Sequence, residues 1–345
     1  MLSKKRVQVY DRAVRSAIRF TGVSLLLLSL TGAHGTAPQV DLPPLQADKW
    51  LNWVGEDPTL KGLEGRAVML HFFVCEEPKK SNWLGMIRFH REFVDRGLVI
   101  LAVTPESDSA VKQLLDLYPL PFAIGTGSAM AGSWGMGTYG QILIDHQGEE
   151  FYRVDASNGV WNGKLRKSVN GSRPVGGAAC LQITVSLEPL RGTKRAVQAM
   201  AKGELAKALG YLEAIQAKEE GELGAQAKML ADKTHEHLAS VLKQIEESLS
   251  AGEAVLAQTA LDALAKGLKR HPAGKPFLEL AAKLKDDEAH QTELEAAKVY
   301  DNLVESFFRM GYGKNEKRFN TMVRDFPGTR NAEKMRNYWL GMLWR

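Results

Sequence analysis

The chain has 345 residues, 45 of them Lys or Arg and 40 Asp or Glu, for a formal charge of +5. Six of the basic residues, Lys4, Lys5, Arg6, Arg12, Arg15 and Arg19, fall before residue 35 against a single acid, Asp11, so the remainder is close to neutral. That balance leaves no basic surface at the level of composition for nucleic acid or anionic lipid, two cysteines exclude a disulfide framework, and the length exceeds one usual core, so two domains are expected.

The basic stretch leads into the apolar run TGVSLLLLSLTGA and then Ala33-His34-Gly35. This is the pattern of a secretory signal, with small residues at the two positions that specify cleavage. Its fully apolar part is about a dozen residues, short of the roughly 20 that cross a bilayer. Residues 1–35 are therefore expected to be a signal peptide cleaved near Gly35, with membrane attachment only if it is retained as an anchor. The protein is expected to be exported to the periplasm or cell envelope of a bacterium.

From residue 36 to 157 strands and helices alternate. AVMLHFF (67–73) is a continuous apolar run of strand length, and SNWLGMIRFHREFVDRG carries Trp83, Ile87, Phe93 and Val94 at roughly helical spacing before Gly97. LVILAV (98–103) is a second buried strand. SDSAVKQLLDLY starts a helix at Ser107 or Asp108 with Val111, Leu114, Leu115 and Tyr118 on one face. QILIDHQGEEFYRV reads as two strands around a turn at His146 to Gly148, and a further helix is expected after Gly159. The order β-α-β-α-β-β implies a mixed sheet, parallel in part, with an antiparallel hairpin at its edge.

Residues 158–190 form a linker rich in Gly, Asn, Ser and Lys, in which CLQITVSLEPL (180–190) offers one more strand. From 191 to 345 the chain turns to Ala, Leu, Lys and Glu with helical spacing. Breaks fall at Gly221, Gly252, His271 to Pro276 and Gly311 to Gly313, which implies an all-α domain of helical hairpins.

The stretch from Leu60 to Ser107 followed by GQILIDHQGEEFYRVD resembles the secreted thioredoxin-like family of periplasmic thiol-disulfide oxidoreductases and peroxiredoxin relatives. The features that carry the resemblance are the turn LEGR before the first core strand, Cys75 at a strand-to-helix junction, the strand LVILAVT, and ILID-HQG. It implies an α/β thioredoxin-like domain with a central mixed sheet flanked by helices. In that family a first thiol at a helix N-terminus is held as thiolate, and a second thiol of a C-x-x-C pair resolves the mixed disulfide. Here the motif is Cys75-Glu76-Glu77-Pro78, with Pro78 where the resolving cysteine belongs. The family's cis-proline position holds Thr138-Tyr139-Gly140, where Tyr139 lacks proline's low cost for the cis form. Two acids after the thiol oppose thiolate by like charge.

Two readings of Cys75 follow. In one it is a small buried hydrophobe capping the strand, and the protein is a binding or scaffold module with a degenerate redox site. In the other it is a single nucleophilic thiol of an oxidoreductase or peroxidase-like enzyme, resolved by Cys180 or by an external thiol. Trp134, Thr138 and Tyr139, with Pro78, are expected to line the site. The helical half resembles tetratricopeptide repeats in AKGELAKALGYLEAI (201–215) and in FNTMVRDFPGTRNAEKMRNYW (319–339), whose Phe326-Pro327-Gly328-Thr329 turn would join two helices. That implies protein or peptide partners through the helical domain.

Other signals are weaker. Gly135 to Gly140 is a literal G-x-G-x-x-G that leads into a strand rather than opening a helix, so no nucleotide is expected. His235 and His237 point about 200° apart on a helix and cannot share a metal. No cofactor is expected. His71 and His90 are close in sequence to Cys75 and could orient or deprotonate it, but with no third group beside them they read rather as a strand residue and an exposed helical residue, and KDDEAHQTELEAAK as a charged helix surface.

Overall fold

Six strands build one mixed sheet in the order β1-β4-β3-β2-β5-β6. The computed structural model describes residues 42–76, 83–118, 120–154, 162–172, 183–185, 187–310 and 313–343. The expected signal peptide and its cleavage position near Gly35 lie outside the described residues.

Every residue of β2 (Ala67–Phe72) and β3 (Leu98–Val103) is buried, which explains why both read as unbroken apolar runs. They pair in parallel and in register, Ala67 beside Leu98 and Phe72 beside Val103. The other edge of β2 takes β5 (Gly140–Ile144) antiparallel, and β5 turns back into β6 (Glu150–Val154). Helix α1 (Trp83–Phe93) connects β2 to β3, and Gly97, at a φ of 93° that favours glycine, closes the turn behind it. Helix α2 (Asp108–Leu117) follows β3. The expected hairpin and the helix after Gly159, α4 (Asn162–Val169), are both present.

Two strands were hidden in the sequence. β1 (Lys49–Leu51) is only three residues long and pairs antiparallel with β4 (Ala123–Thr126), which is parallel to β3. The four residues of β4 are Ala-Ile-Gly-Thr, too short and too glycine-poor in side chain to show a period. The Trp50 ring covers this strand, 3.1 Å from where a Cβ on Gly125 would stand. The extra strand expected over 180–190 is not formed in its described part, 183–185 and 187–190. Ile183 and Val185 are instead buried among helices, because their apolar faces meet Val54, Met200 and the helical core rather than a sheet edge.

Alternation along the strands divides the core in two. Val68, Leu70 and Phe72 face a layer made by the segment before β2, including Trp50 and Leu63, and by the short helix α3 (Met130–Ser133) with Trp134 and Met136. Met69 and Phe73 face α1, α2 and α4.

Beyond residue 191 the described elements are helices arranged in successive hairpins: α5 (Lys194–Ala201), α6 (Leu205–Gln216), α7 (Gly221–Ser250), α8 (Ala254–Gly267), α9 (Lys275–Lys285), α10 (Glu288–Met310), α11 (Glu316–Asp325) and α12 (Arg330–Leu343). Glycines at positive φ, Gly221 and Gly252, bound the 30-residue α7 as their positions in the sequence suggest. The stretch KDDEAHQ is a helix boundary as well as a charged surface: α9 ends at Lys285, and the Asp287 carboxylate accepts from the N–H of His290 in the first turn of α10. Helices α5 to α9 enclose a core of their own around Leu209, Leu230, Val241, Leu261 and Phe277. Helices α10 to α12 do not: Tyr300, Val304, Phe307, Met335 and Tyr338 join the core of α1 and α2. Tyr118 meets Tyr338 edge-on at 6.4 Å, and Arg91 on α1 binds Asp301 on α10 at 2.7 Å. Leu42 to Arg345 accordingly cluster as one unit.

A short strap ties the sheet to α7. The N–H of Gly55 donates to Gln244 at 2.7 Å, and Glu56 accepts from the N–H of Thr184 at 3.1 Å, whose carbonyl takes Lys233 at 2.6 Å.

Candidate functional site

The parallel strands β2, β3 and β4 all run toward one edge of the sheet, and there the chain leaves β2 through Phe73 and Val74 to Cys75. The N–H of Phe73 still donates to the carbonyl of Val103, so pairing with the β3 strand continues one step past Phe72. Because β2 and β3 are in register, the residue three beyond Phe72 and the residue three beyond Val103 emerge side by side. These are Cys75 and Glu106. The N–H of Cys75 donates to Oε2 of Glu106 at 2.7 Å.

Glu106 is itself fixed from behind. Its carbonyl accepts from the N–H of Gly127 at 2.8 Å, and the neighbouring Thr104 carbonyl takes the N–H of Ser128 at 2.8 Å. Gly127 has a φ of 62°, a backbone conformation that favours glycine.

Cys75 is a half-buried free thiol. Burial pushes it well above its ordinary range, and the hydrogen bond to Glu106 and the negative charge of that carboxylate push it further in the same direction. It lies in the turn that ends β2, and the described part of α1 begins eight residues later at Trp83. The carboxylate bonded to the Cys75 N–H is therefore not that of the next acid in sequence: Glu76 is exposed, and the acting group comes from beyond α1 and β3. The in-register pairing of two equally long apolar strands is the signal that could have found it.

Tyr139 stands just before Gly140, which pairs with Phe72, and it packs against the same cluster as Cys75. Thr138 is exposed beside it. Trp134 is not brought to this cluster. It is buried at 2% exposure with Trp50, Met130 and Met136 on the opposite face of the sheet, because α3 packs its C-terminal end inward there, and its carbonyl accepts from Arg153. Pro78 and Cys180 lie outside the described residues. The G-x-G-x-x-G run joins α3 to β5 and opens no helix.

His71 is a strand residue, 3% exposed, on the same face as Phe73. Its Nδ1 lies 3.2 Å from Nε2 of Gln141, the residue opposite it on β5, and its ring meets Trp83 edge-on at 5.1 Å. Burial lowers its pKa to about 3. His90 is not the exposed helical residue expected. It sits at the far end of α1, half-buried against Phe122, and burial lowers its pKa to about 4. Neither imidazole is a proton acceptor for Cys75: burial makes the first too weak a base, and the second is at the opposite end of the sheet.

No protein-family model matches the chain, and no curated protein matches it. Among solved structures it is similar to a thiol-disulfide isomerase from Corynebacterium glutamicum, at 18% identity over 39% of this chain and 97% of that one, with a TM-score of 0.33. It is similar also to a thioredoxin-like superfamily protein, at 19% identity over 37% and 95% with a TM-score of 0.32. A thiol:disulfide interchange protein from Chlorobium tepidum gives 15% identity over 38% and 99% with a TM-score of 0.30. The strand order and directions of β4-β3-β2-β5-β6, with α1 bridging β2 and β3, decide the architecture. The fold is thioredoxin-like. Cys75 leaves the end of β2 half-buried beside the Glu106 carboxylate, and burial and that charge both oppose its anion.

Proposed function

We propose that this chain is an exported protein of the bacterial periplasm or cell envelope, in which a thioredoxin-like fold with a degenerate redox position and a tetratricopeptide-like helical array serve as a protein-binding module. The observation that carries this reading is the Cys75–Glu106 pair. A dithiol exchanger needs its attacking sulfur as thiolate near neutral pH, and a carboxylate accepting from the peptide N–H of that same cysteine opposes the anion. Pro78, at the position of the resolving thiol, removes the second half of the chemistry. The succession of helical hairpins supports a partner-binding role for the rest of the chain. Export is supported by the basic and apolar run before residue 35.

The test is insulin disulfide reduction with dithiothreitol as electron source. The protein is expected to leave the uncatalysed rate unchanged, and Cys75→Ser to behave identically. Turnover that disappears in Cys75→Ser would instead assign the chain to single-thiol oxidoreductases.

A further inference from the structure

At the end of the sheet opposite Cys75, where β3 and β4 begin, a cleft of about 840 Å³ opens between the sheet and the helices. Its floor is Leu98, Val99, Leu120 and Phe122; its walls are the start of α8, the middle of α10 and the start of α12. Clefts of this size are ordinary for small molecules, and sites where separately built layers meet are a common place for them.

The lining decides what could enter. Among its described residues Arg66, Arg91 and Lys334 oppose Asp95, Glu253 and Asp301, so the wall has no net formal charge. Two of these pairs are closed within it, Arg91 with Asp301 at 2.7 Å and Lys334 with Glu253 at 3.0 Å. An ionic ligand that engaged any of those four groups would have to displace its partner, with the desolvation cost that follows, and the opposite charges of Arg66 and Asp95 leave no net attraction for either sign. Most of the remaining surface is aliphatic or aromatic. His90 lines the cleft as a neutral imidazole, which offers one donor and one acceptor, and its Nδ1 has no described partner.

We propose that this cleft is a binding site for an uncharged, largely apolar small molecule carrying one hydrogen-bonding group, held between the thioredoxin-like sheet and helices α8, α10 and α12. The site is independent of Cys75 and of any protein partner. It uses the junction of the two halves, which would place a small-molecule signal where the halves are joined.

N-phenyl-1-naphthylamine is a suitable probe because it is neutral, apolar, bears one N–H and brightens in apolar surroundings. Titrated into the protein, it is expected to bind saturably with one site per chain. Its sulfonated relative, 8-anilinonaphthalene-1-sulfonate, shares the ring system and adds a charge, and is expected to bind about tenfold or more weakly, the factor a single unfavourable 1.4 kcal/mol produces. Thr259 lines the cleft with an exposed side chain on α8. Thr259→Trp should fill the cleft and reduce affinity by roughly tenfold or more. Thr292→Trp, on α10 outside the lining and with the same hydroxyl bond to the preceding turn, should leave it unchanged. Val255→Trp, also on the exposed rim, repeats the test should Thr259→Trp fold poorly. Absence of saturable binding, equal affinity for the sulfonate, or binding untouched by both cleft substitutions would overturn the proposal.

Discussion

The peptide N–H of Cys75 and the carboxylate of Glu106, 31 residues apart, are joined at 2.7 Å because their strands run parallel and in register. A thiol held beside that carboxylate is expected to stay protonated through the neutral range. Alkylation by iodoacetamide at pH 7 should be much slower than for an ordinary exposed cysteine, and its rate should keep rising well beyond pH 8.5. Glu106→Gln keeps an acceptor for the Cys75 N–H and removes the charge, so it should speed alkylation at pH 8.5. A fast, pH-independent reaction between pH 6 and 8 would show that the thiolate is stabilised after all.

The same pair sets an alkaline limit. A thiol raised in the folded state stays protonated there while the unfolded chain loses its proton above about pH 8.5. Its contribution to stability is therefore present below that pH and declines as pH rises toward the folded value. Cys75→Ser should remove part of the fall in melting temperature between pH 8.5 and 10.

His71 and His90 act in the acid range with the opposite sign. Both have folded pKa values lowered from 6.5, to about 3 and about 4, so at pH 6 the unfolded state binds protons that the folded state refuses. Their contribution is complete above pH 6.5 and is lost as pH falls. Below the model-peptide value each histidine adds a slope approaching about 1.4 kcal/mol per pH unit. Urea denaturation should show proton uptake on unfolding that rises from about one at pH 6.5 to close to two at pH 5, and His71→Leu should reduce the value at pH 5 by about one. An unchanged proton uptake in His71→Leu would mean that the buried imidazole is already charged.

Trp83 packs edge-on against Phe73 at 4.8 Å and against His71 at 5.1 Å. Trp83→Ala should cost about 3–5 kcal/mol, since it empties a fully buried site between α1 and the sheet. The loss is read from the urea midpoint at constant slope. A cost below about 1 kcal/mol would mean that α1 does not close on β2 in this way.

Tyr338 on α12 belongs to the core of α1 and α2, and Tyr118 lies against it. Tyr338→Ala should therefore destabilise by about 2–4 kcal/mol and shift one unfolding transition followed by both near- and far-ultraviolet circular dichroism. Two separated transitions, with only the helical one moved, would show that sheet and last helices unfold apart.

Much of the thioredoxin-like sheet was legible because its strands are recorded locally. AVMLHF and LVILAV are long enough to show continuous burial, ILID-HQG-EEFYRV carries its own turn, and Gly97, Gly221 and Gly252 stand at chain positions that need positive φ. β4 was not legible, since four residues give no period, and the helix start at Glu288 was obscured by charges that serve both as surface and as cap. The candidate site was half legible. Cys75 is visible in one short stretch, whereas its carboxylate partner, Glu106, follows a different strand.

The sequence by itself determined the apolar strands, the helical second half and the single cysteine at the end of β2, because each follows from hydrophobic periodicity or residue identity within about a dozen neighbours. Only the tertiary structure decided that Glu106 is the acid beside Cys75, that Trp134 belongs to the far face, that His90 is half-buried against Phe122, and that α10 to α12 close on α1 and α2. Those relations depend on strand register and on which apolar face meets which, and these are settled by packing among residues tens to hundreds of positions apart.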